Sequence, residues 1–130
     1  MRRFLFIALL FSSLFAHSQV YKYNATEFSV RVAERGYWGE WSEWEPVKIL
    51  IVLNLEKERI EIYSKTPQEY DIVEVLGTES DEKDGDSIRF LCVDEDGLRC
   101  NIRIRVQLDG TKQLYVDYKD AMWVYNISKR

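Results

Sequence analysis

Histidine is almost missing from this chain. Its one copy, His17, lies among the first 18 residues, and those residues read as a segment that is cut away. A chain without imidazole cannot use His as a general base, cannot build a Ser-His or Cys-His nucleophile, and cannot offer His to zinc. There are only two cysteines, Cys92 and Cys100, and two prolines, Pro46 and Pro67, so a disulfide-dense scaffold and a proline-rich linker are both excluded. Positive charge is also in deficit. Loss of Arg2 and Arg3 with the leader lowers Lys+Arg from 18 to 16 against 22 acidic residues, a net charge of −6. That balance disfavours nucleic acid and anionic membrane as general partners. Beyond the leader no apolar run is long enough to cross a bilayer.

The leader has the make-up of a secretory signal. Arg2 and Arg3 precede an apolar run over residues 4–15, too short for a span, and Ala16-His17-Ser18 puts small residues third and first before a cut. Residues 1–18 are therefore expected to be a cleaved signal peptide, with Gln19 first in an exported, secreted or periplasmic, single domain of residues 19–130. The rivals, an uncleaved anchor or a twin-arginine signal, find little in the flanking sequence to support them.

What is abundant is strand pattern. Residues 88–93 and 98–106 alternate around Asp94-Glu95-Asp96-Gly97, a strong hairpin signal. A three-residue loop, Glu95-Asp96-Gly97, sets Cys92 against Cys100, Phe90 against Ile102 and Ile88 against Ile104. A two-residue loop would set Phe90 against Arg103. Because a slip of one residue exchanges the buried and wet faces, the pattern selects the three-residue loop. Leu108-Asp109-Gly110 permits a matching turn, with Ile104 against Leu114 and Ile102 against Val116. Further strands are expected over residues 27–33, 46–55, 59–63, 70–76, 113–118 and 122–127. Residues 20–25 read as a lead-in, and 34–45 and 77–86 as loops. About eight strands, no amphipathic helix and short connections predict an all-β, antiparallel up-and-down meander. A small closed barrel of lipocalin-like architecture is preferred to a two-sheet sandwich, and closure requires the last strand to pair with the first.

Cys92 and Cys100, facing each other on the buried side in an exported protein, are expected to form a disulfide. Their spacing is not that of a Cys-x-x-Cys redox pair. Tyr37-Trp38-Gly39-Glu40-Trp41-Ser42-Glu43-Trp44 holds three of the four tryptophans at intervals of three. Over residues 38–44 this resembles the Trp-x-x-Trp-x-x-Trp run of type-1 thrombospondin repeats, in which arginines interleave with the rings. The six-cysteine framework of those repeats is absent, so no homology follows. The rings either plug one end of the barrel or pack on Arg31, Arg89 or Arg103, or they form an exposed platform. Tyr37, Trp38, Trp41, Trp44 and Arg103 are the candidate binding residues, since aromatic rings and arginine are the usual anchors of interfaces.

Arg89, Arg99, Arg103 and Arg105 form a stripe on the hairpin's polar face, with Asp117 as a candidate partner. Glu79, Asp81, Glu82, Asp84 and Asp86 miss the spacing of a calcium loop, so no metal and no cofactor is expected. The sequons at Asn24 and Asn126 arise by chance too often to carry weight. These observations point to a non-enzymatic binding protein for a protein surface, a glycan or an apolar small molecule. The site is either the barrel lumen or the tryptophan run. The alternatives are a carboxylate-based glycan-acting enzyme using Glu40 and Glu43, or an inhibitor or structural partner of another exported protein.

Overall fold

The computed structural model describes residues 19–83 and 85–130; the expected signal peptide and Asp84 lie outside the described residues. Nine strands are present: β1 (Val20–Glu34), β2 (Tyr37–Trp38), β3 (Glu45–Asn54), β4 (Arg59–Ile62), β5 (Gln68–Asp81), β6 (Gly85–Asp94), β7 (Arg99–Val106), β8 (Lys112–Asp117) and β9 (Ala121–Lys129). Every neighbouring pair is antiparallel. β1 also pairs with β9, so β1 and β3–β9 close an eight-stranded barrel of lipocalin-like architecture, with β2 added at β1's side. Closure removes the unpaired edges that an eight-strand meander would otherwise expose.

The hairpin register agrees with the alternation pattern. Ile88 faces Ile104, Phe90 faces Ile102 and Cys92 faces Cys100. The Asp94 N–H donates to the Leu98 carbonyl and the Gly97 N–H to that of Asp94. Gly97 takes φ +83°, which a side chain would resist. The next turn repeats the device around Gly110, giving Ile104 opposite Leu114 and Ile102 opposite Val116. These inward residues, with Ile51, Leu53, Ile60, Ile62, Tyr70, Tyr125 and Ile127, form one core that fills the barrel. An eight-stranded barrel is just wide enough to be filled in this way.

Four expectations are corrected. The lead-in over residues 20–25 is the first part of β1. That strand shifts register between Ala25 and Glu27 against both neighbours. Before the shift Tyr23 and Ala25 join the core, and after it Phe28 does. The inward parity changes from odd to even, so the two parts do not read as one alternating strand. The loop over residues 77–86 is mostly strand. β5 runs to Asp81, but register shifts at Ile72/Glu74 and Val75/Gly77 and exposure on both faces erase its alternation. The loop over residues 34–45 opens as a tight hairpin, in which Arg35 and Gly36 take φ of 53° and 83° and Glu34 faces Tyr37. This two-residue turn with both φ positive favours Asn-Gly or Asp-Gly, and Gly36 was its one trace in the sequence.

The fourth correction concerns sulfur. Cys92 and Cys100 meet across the hairpin, but both are free, buried thiols. By alternation from the bonded Asp94–Leu98 pair they occupy a hydrogen-bonded position, with Cα atoms about 5.5 Å apart, a separation that a disulfide can bridge. Opposition alone therefore does not decide their state. Burial pushes the Cys92 thiol up to about 12 and the Cys100 thiol up to about 11, which suppresses the thiolate needed for exchange chemistry.

Candidate functional site

The tryptophan run returns alongside the second half of β1. The Gly39 N–H donates to the Val32 carbonyl and the Ser42 N–H to that of Val30, each at 2.8 Å. Ser42 acts as a clip. Its Oγ accepts from the Val30 N–H at 3.0 Å, and its carbonyl accepts from the Ser29 hydroxyl at 2.7 Å. Residues 39–44 thus have no regular ladder of their own, yet they are tied to β1 at several points. Gly39 fits because a Cβ there would stand 3.2 Å from the Val32 carbonyl oxygen.

The second-half parity of β1 sends Phe28 into the core and Arg31 outward. The Arg31 guanidinium carbon lies 5.1 Å from the Trp38 ring centroid and 5.4 Å from that of Trp41, so the cation is held between two indoles. Among the described residues no carboxylate lies within ion-pair distance of Arg31, and its Nε is buried without a hydrogen-bond partner. The indole faces, negative in their quadrupole, meet its charge instead. Trp41 continues edge-on to Tyr115 at 6.2 Å and 68°. The Arg103 guanidinium lies over Tyr115 at 4.2 Å, and Arg103 grips Asp117 through two bonds of 2.6 and 3.2 Å. The result is a ladder of Trp38, Arg31, Trp41, Tyr115, Arg103 and Asp117 across the outside of β1, β9, β8 and β7.

The ladder covers part of the barrel wall. Ser29, Val124 and Tyr115 are successive in register across β1, β9 and β8. Ser29 is 1% and Val124 2% exposed, although neither belongs to the inner core cluster. Trp41, touching both Arg31 and Tyr115, spans the strand between them. The tryptophans still show substantial surface: Trp38 is 38%, Trp41 37% and Trp44 44% exposed, and Tyr37 79%.

Of the candidate binding residues, the structure brings Trp38, Trp41 and Arg103 into one assembly. Trp44 and Tyr37 stand exposed on the same segment with no ring stacked on them in the ladder. Arg31 and Tyr115 were not singled out as site residues, although the interleaving of arginine with tryptophan pointed toward a residue such as Arg31. Tyr115 carried no local signal, because its role comes from β8 lying one strand beyond β9. Arg89 and Arg105 of the stripe stand beside Arg103. Arg89 pairs with Glu79 at 3.5 Å, and Arg89, Arg103 and Arg105 border a shallow polar cleft with Glu79 and Asp81. Glu40 and Glu43 are both exposed. Asp86 accepts from the Ser80 hydroxyl and Asp81 from the Lys83 N–H, so these acids serve their own turn. Among the described residues no group of three potential ligands is placed to hold a metal ion.

A second concave region lies at the barrel mouth by the β6–β7 turn, with a volume of about 480 Å³. Tyr118 and Trp123 stack there at 5.5 Å and 25°. Gln68 links the phenols of Tyr70 and Tyr125 beneath it, at 2.6 and 3.2 Å. Asp94 accepts from the Tyr118 hydroxyl at 2.7 Å and from the N–H groups of Asp96 and Leu98 at 2.9 Å. These bonds, the Tyr118 one foremost, lower the Asp94 pKa. Burial first, and then the bond to Asp94, raise that of Tyr118.

Comparison with family models, with curated proteins and with solved structures returns no match.

Proposed function

We propose that this chain is an exported, non-enzymatic binding protein that recognises a glycan through the outer aromatic–arginine ladder. The observation that carries the reading is the Arg31 guanidinium between Trp38 and Trp41. Two large rings are fixed in orientation while each keeps more than a third of its surface exposed. A rigid, partly exposed ring binds at low entropic cost, and a sugar ring offers a C–H face of matching shape. The flanks of the ladder supply hydrogen-bonding groups: the Tyr115 hydroxyl with Gln113, and the Arg103–Asp117 pair. The filled interior argues against the rival site, an apolar ligand in the lumen.

Four measurements test this. In gels containing soluble neutral polysaccharides, the wild type is expected to be retarded by at least one of them, and Trp38→Ala and Trp44→Ala to run freely, Trp44→Ala with an unchanged melting temperature and Trp38→Ala folded with a modestly lowered one. Equal migration of wild type and both variants in every gel overturns the glycan reading. A partner protein that co-purifies in stoichiometric amount with wild type but not with Trp38→Ala would replace the glycan. An apolar fluorescent probe is expected to gain no emission on mixing, whereas uptake reversed by a fatty acid would restore the lumen. Export is checked by the mass of the protein in the extracellular or periplasmic fraction, expected to begin at Gln19.

A further inference from the structure

We infer that the barrel mouth between residues 64–68 and the β6–β7 turn is a second binding site, one that takes a substituted ammonium group. Three features converge there. The first is a cavity of about 480 Å³, of the size that holds small organic ligands and at a place where barrels commonly hold them. The second is an aromatic wall, made of the stacked Tyr118 and Trp123 beside the buried Tyr70. The third is negative charge: Asp94, Glu95 and Asp96 on one side and Glu69 on the other, with Lys65 the one cation in the lining.

Asp94 decides the sign of the ligand. It breaks the inward pattern, standing where β6 would continue the series Ile88, Phe90 and Cys92. Its three hydrogen bonds all come from neutral donors, and among the described residues no Lys or Arg reaches it within ion-pair distance. The bonds hold it ionised and leave its charge uncompensated. Glu69 differs, since Arg59 stands 3.7 Å away. An anion would be repelled from such a mouth, and a neutral apolar ligand would use only the rings. A quaternary ammonium group uses both, because its methyls pack on the rings while its charge meets the π faces and the carboxylate. A bare metal ion does not suit, since the carboxylates do not gather around one point. A local departure from the fold's own pattern is the kind of place where function is expected.

The test compares choline with 3,3-dimethylbutan-1-ol, its neutral carbon isostere, by NMR titration at low ionic strength. Saturable choline binding is expected, at least tenfold tighter than that of the alcohol. Trp123→Leu is expected to weaken it tenfold or more. The double variant Glu95→Gln/Asp96→Asn alters only exposed turn side chains and should keep the wild-type melting curve while weakening choline several-fold. Equal affinity for the two compounds overturns the inference, as does a flat choline titration. Choline binding unchanged in the double variant overturns it as well. Loss of binding in Trp38→Ala with full retention in Trp123→Leu would assign the cation to the outer ladder and likewise overturn it.

Discussion

The β6–β7 hairpin and the aromatic–arginine ladder share one residue, Arg103, and are built in opposite ways. In the hairpin, partners sit across a three-residue turn, and each contact follows from two local facts: side chains alternate, and Gly97 can take a positive φ. In the ladder, Arg31, Trp38, Trp41, Tyr115, Arg103 and Asp117 come from four strands and an irregular segment, and no spacing in the chain brings them together. They meet only because β9 returns to β1 and closes the barrel. The hairpin is thus a short-range structure that helps to make the closure, and the ladder is a product of it. The hairpin's inner face should carry stability, and the ladder should carry less stability and more of the recognition.

The sharpest break in that contrast is a core truncation. Phe90→Ala, at a site 2% exposed, should lower unfolding free energy by about 3–5 kcal/mol, read from urea denaturation. A loss no greater than that of Trp41→Ala would mean the ladder is structural on a par with the core. The next effect is alkaline. Cys92 and Cys100 have folded pKa values of about 12 and about 11, raised first by burial, so the unfolded chain loses its thiol protons at lower pH. Stability from these groups is full below about pH 8.5 and falls as pH rises toward 11–12, with a slope of up to about 1.4 kcal/mol per pH unit per thiol. Cys92→Ala/Cys100→Ala should flatten this slope, whatever it does at pH 7. The thiols should also resist a thiol reagent in the folded protein and react fully, without reductant, once it is unfolded.

Trp41→Ala should cost about 1–2 kcal/mol, since it removes one cation–π contact, one ring–ring contact and the span over Val124. Trp44→Ala, without such contacts, should cost less than about 0.5 kcal/mol, as for ordinary surface positions. An equal cost for the two would deny the ladder its distinction. Arg31→Lys should fall between these two, at about 0.5–1 kcal/mol. It keeps the charge but replaces a planar group between two rings with a compact ammonium.

What could be read from the sequence follows the same division. Most strand positions, the two Gly-closed turns and the register of five core pairs depend on period-two alternation and turn chemistry, and they were legible. The lengths of β1 and β5 were not, because register shifts break the period within a strand. The state of Cys92 and Cys100 was not legible, because opposition across a hairpin permits a disulfide without requiring one. At the ladder, the tryptophans were conspicuous by composition. Arg31 was legible only as one of three possible partners, and Tyr115 not at all. At the mouth cavity, Asp94 was read as a turn former, which it is. Its second aspect, an uncompensated charge beside Tyr118 and Trp123, depends on strands that alternation cannot orient around a ring.

The register shift at Ala25/Glu27 has a consequence for how this protein can change. Had β1 kept its early parity, Glu27, Ser29 and Arg31 would point into the barrel and Phe28, Val30 and Val32 into solvent. Removal of a single codon in this segment would therefore threaten the core and the outer face together, while most single substitutions at Thr26 would spare both. The aromatic–arginine ladder is accordingly more exposed to loss by an indel than by point mutation. A library that varies Tyr37, Trp38 and Trp44 at constant length should yield folded proteins with altered binding far more often than one that varies the length of β1.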